Sequence, residues 1–244
     1  MRYIVMHKVD AKMEAGAPPD ARLIEEMGAL VQESLKAKIF LNGAGLHKSA
    51  RRARVVTKRG DASVTRGPYG GQNELVASVT MLSTRSFDDA VTQAKKLGGI
   101  LGDAEIEVGP VVEAWDLGLA PKPEKKVPEN FLLLCKASEE DERVPESSIR
   151  HRRAAQELAQ SLDDGVVHAV ETFAPSSRGL RLPAGSGKRS WVDGPFAESK
   201  ELIAGFSLLD LPGRAEVIAW ADRYAAILGP DSEVDIREVH EPPR

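Results

Sequence analysis

Apolar and polar residues follow two different periods along this chain, and stretches of the two periods take turns. Tyr3-Ile4-Val5-Met6-His7-Lys8 is a short apolar run that predicts a strand. Leu23, Met27, Leu30, Val31 and Leu35 fall on one face of a helix that Asp20 can cap and that runs to about Lys38. Ile39–Leu46 predicts a second strand, Arg54–Thr57 with Ser63–Thr65 a hairpin around Arg59-Gly60-Asp61, and Leu75–Leu82 a further strand. Phe87, Ala90, Val91, Ala94 and Leu97 have helical spacing up to Gly98-Gly99, and the alternation over Glu105–Val112 predicts a closing strand. The same order then recurs. Strand Asn130–Lys136 is followed by a helix from about Glu146 to Leu162, a strand at Val166–Thr172 and a hairpin around Ala184-Gly185-Ser186-Gly187. Strand Ile203–Leu209, a helix carrying Val217, Ile218, Ala221, Tyr224 and Leu228, and strand Ser232–Val239 complete it.

The recurrence extends to residue identity. Arg66-Gly67-Pro68-Tyr69 aligns with Asp193-Gly194-Pro195-Phe196, 127 positions on, and the same offset pairs Ser49 with Ser176, Arg51 with Arg178, Arg54 with Arg181 and Glu74 with Glu201. At the ends the offset is 128, so that Tyr3–Lys8 matches Phe131–Lys136 and Glu105-Ile106-Glu107-Val108 matches Glu233-Val234-Asp235-Ile236. The chain therefore reads as unit 1 (residues 1–114), a Pro- and Lys-rich extended linker (115–129) and unit 2 (130–241). Strand, helix, strands, helix, strand is the order of a ferredoxin-like α+β unit, whose antiparallel sheet carries helices on one face only. The bare face must be buried. Two units in one chain are expected to pack sheet against sheet as an intramolecular α+β barrel, a pseudo-dimer, so unit 1 alone would aggregate or pair.

Composition narrows the class. Hydrophobic residues at 42% and charged ones at 29% are those of a globular chain, and the net charge of −4 argues against a general nucleic-acid partner. No apolar run reaches membrane-spanning length, and the start is charged too soon for a signal peptide, so a cytoplasmic location is expected. The lone Cys135 lies in an apolar strand and reads as a buried, inert thiol.

Trp191-Val192-Asp193-Gly194-Pro195-Phe196-Ala197-Glu198-Ser199-Lys200-Glu201-Leu202 resembles the YCII-related family, and within it the branch named for its Asp-Gly-Pro-Phe (DGPF) motif. Pro175–Arg181 and the closing strand Glu233–Glu241 resemble the same branch, and Gly45–Val55 resembles its upstream motif in unit 1. The resemblance implies a dimeric α+β barrel, in two tandem copies here. It implies little about activity. Broader relatives include small enzymes acting on lactone-like or halogenated aromatic breakdown products, some with a His–Asp pair, and some branch members accompany alternative sigma factors.

Asp193 is the first candidate for chemistry. A carboxylate before Gly-Pro sits in a turn, where it can act as a general base or bond the local backbone, and the two readings weigh about evenly. Unit 1 has Arg66 there, which at neutral pH can bind an anion but not act as a base. Glu171, at a strand end, is expected to stand near Asp193 and form a pair of acids. His151 suits the family's histidine by its place, yet it lies in Arg150-His151-Arg152-Arg153, a basic run that more often faces solvent. Glu198, Lys200, Glu201, Arg66 and His168 are candidate substrate ligands. No metal-ligand spacing, Walker loop or dinucleotide fingerprint occurs, so neither metal nor cofactor is expected. The cluster His47, Lys48, Arg51, Arg52, Arg54, Lys58 and Arg59 reads as a solvated hairpin edge. Two functions follow: a small enzyme doing acid/base chemistry on a small polar metabolite in unit 2, or a non-catalytic small-molecule-binding or regulatory protein linked to transcription. A further homodimer is compatible with either.

Overall fold

The computed structural model describes residues 1–71, 75–144, 147–196 and 202–240. In chain order the first half contains β1 (Arg2–Lys8), α1 (Ala11–Glu14), α2 (Ala21–Lys36), β2 (Phe40–Gly45), β3 (Ala53–Lys58), β4 (Asp61–Arg66), β5 (Val76–Thr84), α3 (Phe87–Leu101) and β6 (Ala104–Pro110). The second contains β7 (Glu129–Lys136), α4 (Glu139–Arg143), α5 (Ser147–Gln160), β8 (Val167–Thr172), β9 (Leu180–Leu182), β10 (Val192–Asp193), β11 (Ile203–Asp210), α6 (Arg214–Leu228) and β12 (Val234–Glu238). A short 3-10 turn stands between β2 and β3 (Ser49–Arg51) and again between β8 and β9 (Ser176–Arg178).

Local chemistry sets the helix ends. Asp20 accepts the Leu23 N–H at 2.7 Å to start α2, Ser86 accepts that of Asp89 to start α3, and Gly102, at φ +87°, ends α3. The short helices α1 and α4 were not legible in the apolar pattern. Each is a single turn fastened by its own cap, Asp10 for α1 and Ser138 for α4.

The architecture is α+β, with two six-stranded antiparallel sheets. Their orders are β10-β9-β12-β1-β11-β2 and β4-β3-β6-β7-β5-β8. Neither half builds a sheet of its own, which corrects the expectation of self-contained units. β1 pairs with β11 and β12 of the second half, with Val5 opposite Ser207, and β7 pairs with β5 and β6 of the first, with Cys135 opposite Ser78. Each half thus contributes its strand–helix–strand opening to one sheet and its remaining strands to the other.

Alternation along the strands sorts the core into three layers. Tyr3, Val5, Leu209 and Ile236 face α2 and α6, and Val55, Ile106, Leu133 and Cys135 face α3 and α5. Ile4, Met6, Leu208, Val79, Leu132 and Leu134 form a third cluster shared by the two sheets, so the bare faces bury each other. Two isolated bridges, Leu46–Val111 and Phe173–Val239, stitch one sheet to the other where the chain leaves β2 and β8.

Because every sheet needs strands from both halves, the two halves unfold together. Calorimetry is expected to show one heat-absorption peak with equal calorimetric and van't Hoff enthalpies. Two resolved transitions would contradict the exchanged topology.

Candidate functional site

Ser49 and Ser176 are fully buried where the chain passes from one sheet to the other. Each hydroxyl accepts a backbone N–H from the turn after Gly-Pro, Tyr69 N at 3.3 Å and Phe196 N at 3.1 Å. Both Gly-Pro peptides are cis. A Cβ on Gly67 would lie 1.8 Å from the Ser49 carbonyl oxygen and one on Gly194 1.9 Å from that of Ser176, so only glycine fits. Arg54 stacks on Tyr69 at 4.5 Å and Arg181 on Phe196 at 4.3 Å. From the short helices, Glu14 accepts the Ser49 N–H at 3.2 Å and Glu142 that of Ser176 at 2.7 Å. The repeated residues that stand out in the sequence therefore form two clasps, one on each crossing.

A buried guanidinium completes each clasp from a different position. Arg52 donates to the carbonyl of His47, and Arg237 to that of Ala174, the counterpart of His47. Where unit 1 has Arg52 unit 2 has Gly179, and where unit 2 has Arg237 unit 1 has Gly109. Arg52 also pairs with Glu107 at 2.8 Å, both wholly buried, while Lys8 pairs with Asp235 at 3.3 Å and Arg181 grips Asp235 at 2.7 and 2.9 Å. Burial, with the charges of Arg54, Lys8 and Arg52, pushes the Lys136 ammonium well below its usual range. The basic run is thus not wholly a solvated edge, since Arg52 and Arg54 turn inward. The repeated alternation Glu105-x-Glu107 and Glu233-x-Asp235 places both acids of each pair on one strand face, but that pattern does not say which basic residue meets them.

Asp193 lies on the surface. Its side chain is 71% exposed and paired with Arg214. The counterpart pair has the charges reversed, Arg66 with Asp88, also exposed. Glu171 lies between the sheets, where it accepts from Arg2 at 2.7 Å, so the two expected acids are held by different cations on different sheets. His168 is exposed on β8 with its Nε2 2.5 Å from the Ser83 hydroxyl. Glu198, Lys200 and Glu201 lie outside the described residues.

His151 is where chemistry gathers. It faces the core, in line with the buried Ala154, Ala155 and Leu158 on α5, rather than solvent with its arginine neighbours. Its Nε2 lies 3.1 Å from Asp141 Oδ1 and its Nδ1 3.1 Å from Ser78 Oγ. The other oxygen of Asp141 accepts the Ser138 N–H at 2.8 Å and its hydroxyl at 2.7 Å, the capping box of α4. Burial alone would raise the Asp141 carboxyl, but the bonds from His151 and Ser138 outweigh it and hold the group ionised, below the usual carboxylate range. An ionised Asp141 can accept a proton carried on Nε2, and Nδ1 stands within hydrogen-bond reach of the Ser78 hydroxyl. The order Ser–His–carboxylate can pass a proton. Cys135, beside Ser78 on the paired strand, is a thiol that burial pushes up to about 12. The histidine's partner is therefore Asp141 and not Asp193. The Ser138-x-x-Asp141 capping pattern ten residues upstream was the signal for it.

The corresponding place in the other sheet is different. Leu23, Met13 and Gly205 stand where His151, Asp141 and Ser78 do. The room left by Gly205 is filled by the His7 ring, whose Nδ1 meets Tyr224 Oη at 2.7 Å and which burial pushes down to about 4. A cleft beside the linker and another against Arg150 and Arg153 of α5 are both lined by residues other than His151, Asp141, Ser78 and Asp193. Among the described residues no group of three or more His, Cys, Asp or Glu side chains is placed to hold a metal ion, and no helix is long and apolar enough to cross a membrane.

Residues 130–240 match the family model of the YCII-related domain, so the second half of the chain carries such a domain, and that family has no assigned function. No curated protein and no solved structure matches the chain.

The clasp and the ion pair are separable by mutation. Gly194→Ala is expected to cost about 3 kcal/mol, because the added methyl forces backbone apart at the crossing. Asp193→Asn, at an exposed pair, is expected to stay within about 0.5 kcal/mol of wild type. Urea denaturation of the two variants checks both.

Proposed function

We propose that the chain is a small enzyme that moves protons on a small polar metabolite, with His151 as acid/base and Asp141 as the carboxylate that orients it. One observation carries the reading: the Ser78–His151–Asp141 chain occurs in one sheet only. Several polar groups of the fold recur in both halves, as Ser49 and Ser176, Glu14 and Glu142, and Lys8 and Lys136 do. The His151 chain does not recur, so its retention calls for another reason. In this reading a substrate hydroxyl or activated C–H takes the place of Ser78 at Nδ1. His151 accepts the proton there, and the ionised Asp141 stabilises the imidazolium that forms. Arg150, which reaches Asp141 at 3.3 Å from the solvent side, marks the direction of entry.

The same proposal takes both halves as copies of one YCII-related unit of the DGPF branch, folded as an α+β barrel by exchange of strands and working in a reducing cytoplasm. The recurring clasp and the matching strand orders of the two sheets support it. A second reading, a non-catalytic binding or regulatory protein of the kind that accompanies sigma factors, is favoured by the sealing of His151, Asp141 and Ser78, all under 7% exposed and mutually bonded.

A thermal-shift screen of wild type, His151→Gln and Asp193→Asn against small polar metabolites separates the readings. The enzyme reading expects a stabilising compound whose effect is lost in His151→Gln, kept in Asp193→Asn, and accompanied by turnover of that compound. Equal stabilisation of all three proteins without turnover would favour the binding reading.

A further inference from the structure

The same guanidinium stands at both crossings in different company. Arg178 meets the carboxylate of Glu238 on β12. Its counterpart is Arg51, and the counterpart of Glu238 is Pro110 at the end of β6. Arg51 is therefore deprived of the anion its twin has. Instead it borders a cavity of about 360 Å³ that Pro110 and the linker enclose, near the lower limit of small-molecule sites at roughly 300 Å³.

The floor of that cavity is already organised. His47 Nε2 lies 3.2 Å from Asp116 Oδ2, and Arg51 Nη1 lies 3.0 Å from the His47 Nδ1. Burial, reinforced by the Arg51 charge, lowers the His47 pKa, so the ring is neutral at pH 7 and adds no charge of its own. Asp116 also caps the Glu113 N–H at 3.0 Å, and Glu113 is bonded to the Asn130 amide at 2.9 Å, so both acids on the floor are engaged. Trp115, half-buried, and Val127 add apolar surface to the lining, and Lys122, Lys125 and Lys126 add positive charge. Glu113, Asp116, Glu124 and Glu129 balance Arg51 and the three lysines, so the lining is neutral overall and the pull on an anion is local to Arg51, which suits a single negative charge better than a double one.

We propose that this cavity binds a small monocarboxylate with an apolar flank, its carboxylate meeting Arg51 as Glu238 meets Arg178 and its flank lying against Trp115. The site is distinct from His151 and independent of any reaction there. It is peculiar to the first half, because the linker that roofs it has no second copy.

The test is titration of the full-length protein with benzoate, acetate and inorganic phosphate, followed by calorimetry and by the indole N–H resonance of Trp115. Benzoate is expected to saturate and to shift the Trp115 signal, acetate and phosphate to bind more weakly. Arg51→Gln, at an exposed position, is expected to weaken benzoate roughly tenfold, the scale of one charge-assisted pair. Pro110→Glu, which supplies the missing internal anion, is expected to weaken it at least as much, with an unchanged melting temperature showing that the variant folds. Unaltered affinity in Arg51→Gln, preference for phosphate, or no saturation by benzoate up to about 10 mM would each overturn the proposal.

Discussion

Ser49 and Ser176 hold the two places where the backbone leaves one sheet for the other, and the remaining architecture depends on those crossings being fixed. A crossing strand end carries backbone groups out of one hydrogen-bonded ladder before it joins the next, and buried groups of that kind are costly when unpaired. Here a serine hydroxyl, a glutamate from a one-turn helix, a Gly-Pro turn pressed against the carbonyl and a buried guanidinium share the task. The guanidinium arrives from Arg52 in one half and from Arg237 in the other, where Gly179 leaves Arg237 room: a Cβ there would lie 2.9 Å from the Arg237 Cδ. Two solutions to one requirement imply that the charge at that point matters more than the strand that delivers it.

This view changes what the Asp-Gly-Pro-Phe run means in this chain. Gly194 and Phe196 are structural members of the clasp, and their counterparts Gly67 and Tyr69 do the same work. Asp193 stands outside it, exchangeable in charge with Arg66 provided that the partner on the following helix changes too, Arg214 for Asp88. A repeated motif is in this case a sign of shared architecture. The candidate chemistry lies where repetition fails, at His151, Asp141 and Ser78 in one sheet and at the linker cavity beside Arg51. Ser78 comes from the first half and His151 from the second, so the exchange of strands makes the candidate centre a joint product of both.

Much of the fold was legible. The strands and long helices follow from apolar period, and the element order from its recurrence. The exchange of strands was not, for a physical reason. β1 needs an antiparallel neighbour with an apolar alternation, and β5 and β11 both offer one, so the pattern leaves the choice open and the clasped crossings decide it. At the site, His151 shares a helical face with Ala154, Ala155 and Leu158, a spacing that pointed inward, but three neighbouring arginines suggested solvent. Asp141 was hidden within Glu139–Glu142, a run that reads as a solvated turn until its capping role is recognised. Burial of Arg52 required knowing that Glu107 faces it from another strand, which no local pattern contains.

The exchange itself is the central claim, and cross-strand proton contacts of β1 measured by NMR test it most directly. The account predicts contacts between Tyr3 and Leu209 and between Val5 and Ser207, partners from opposite halves of the chain. Contacts between Val5 and Thr80, the counterpart of Ser207 in the first half, would mean that each half keeps its own sheet. The joint assignment of Ser78 and His151 would then fall with it.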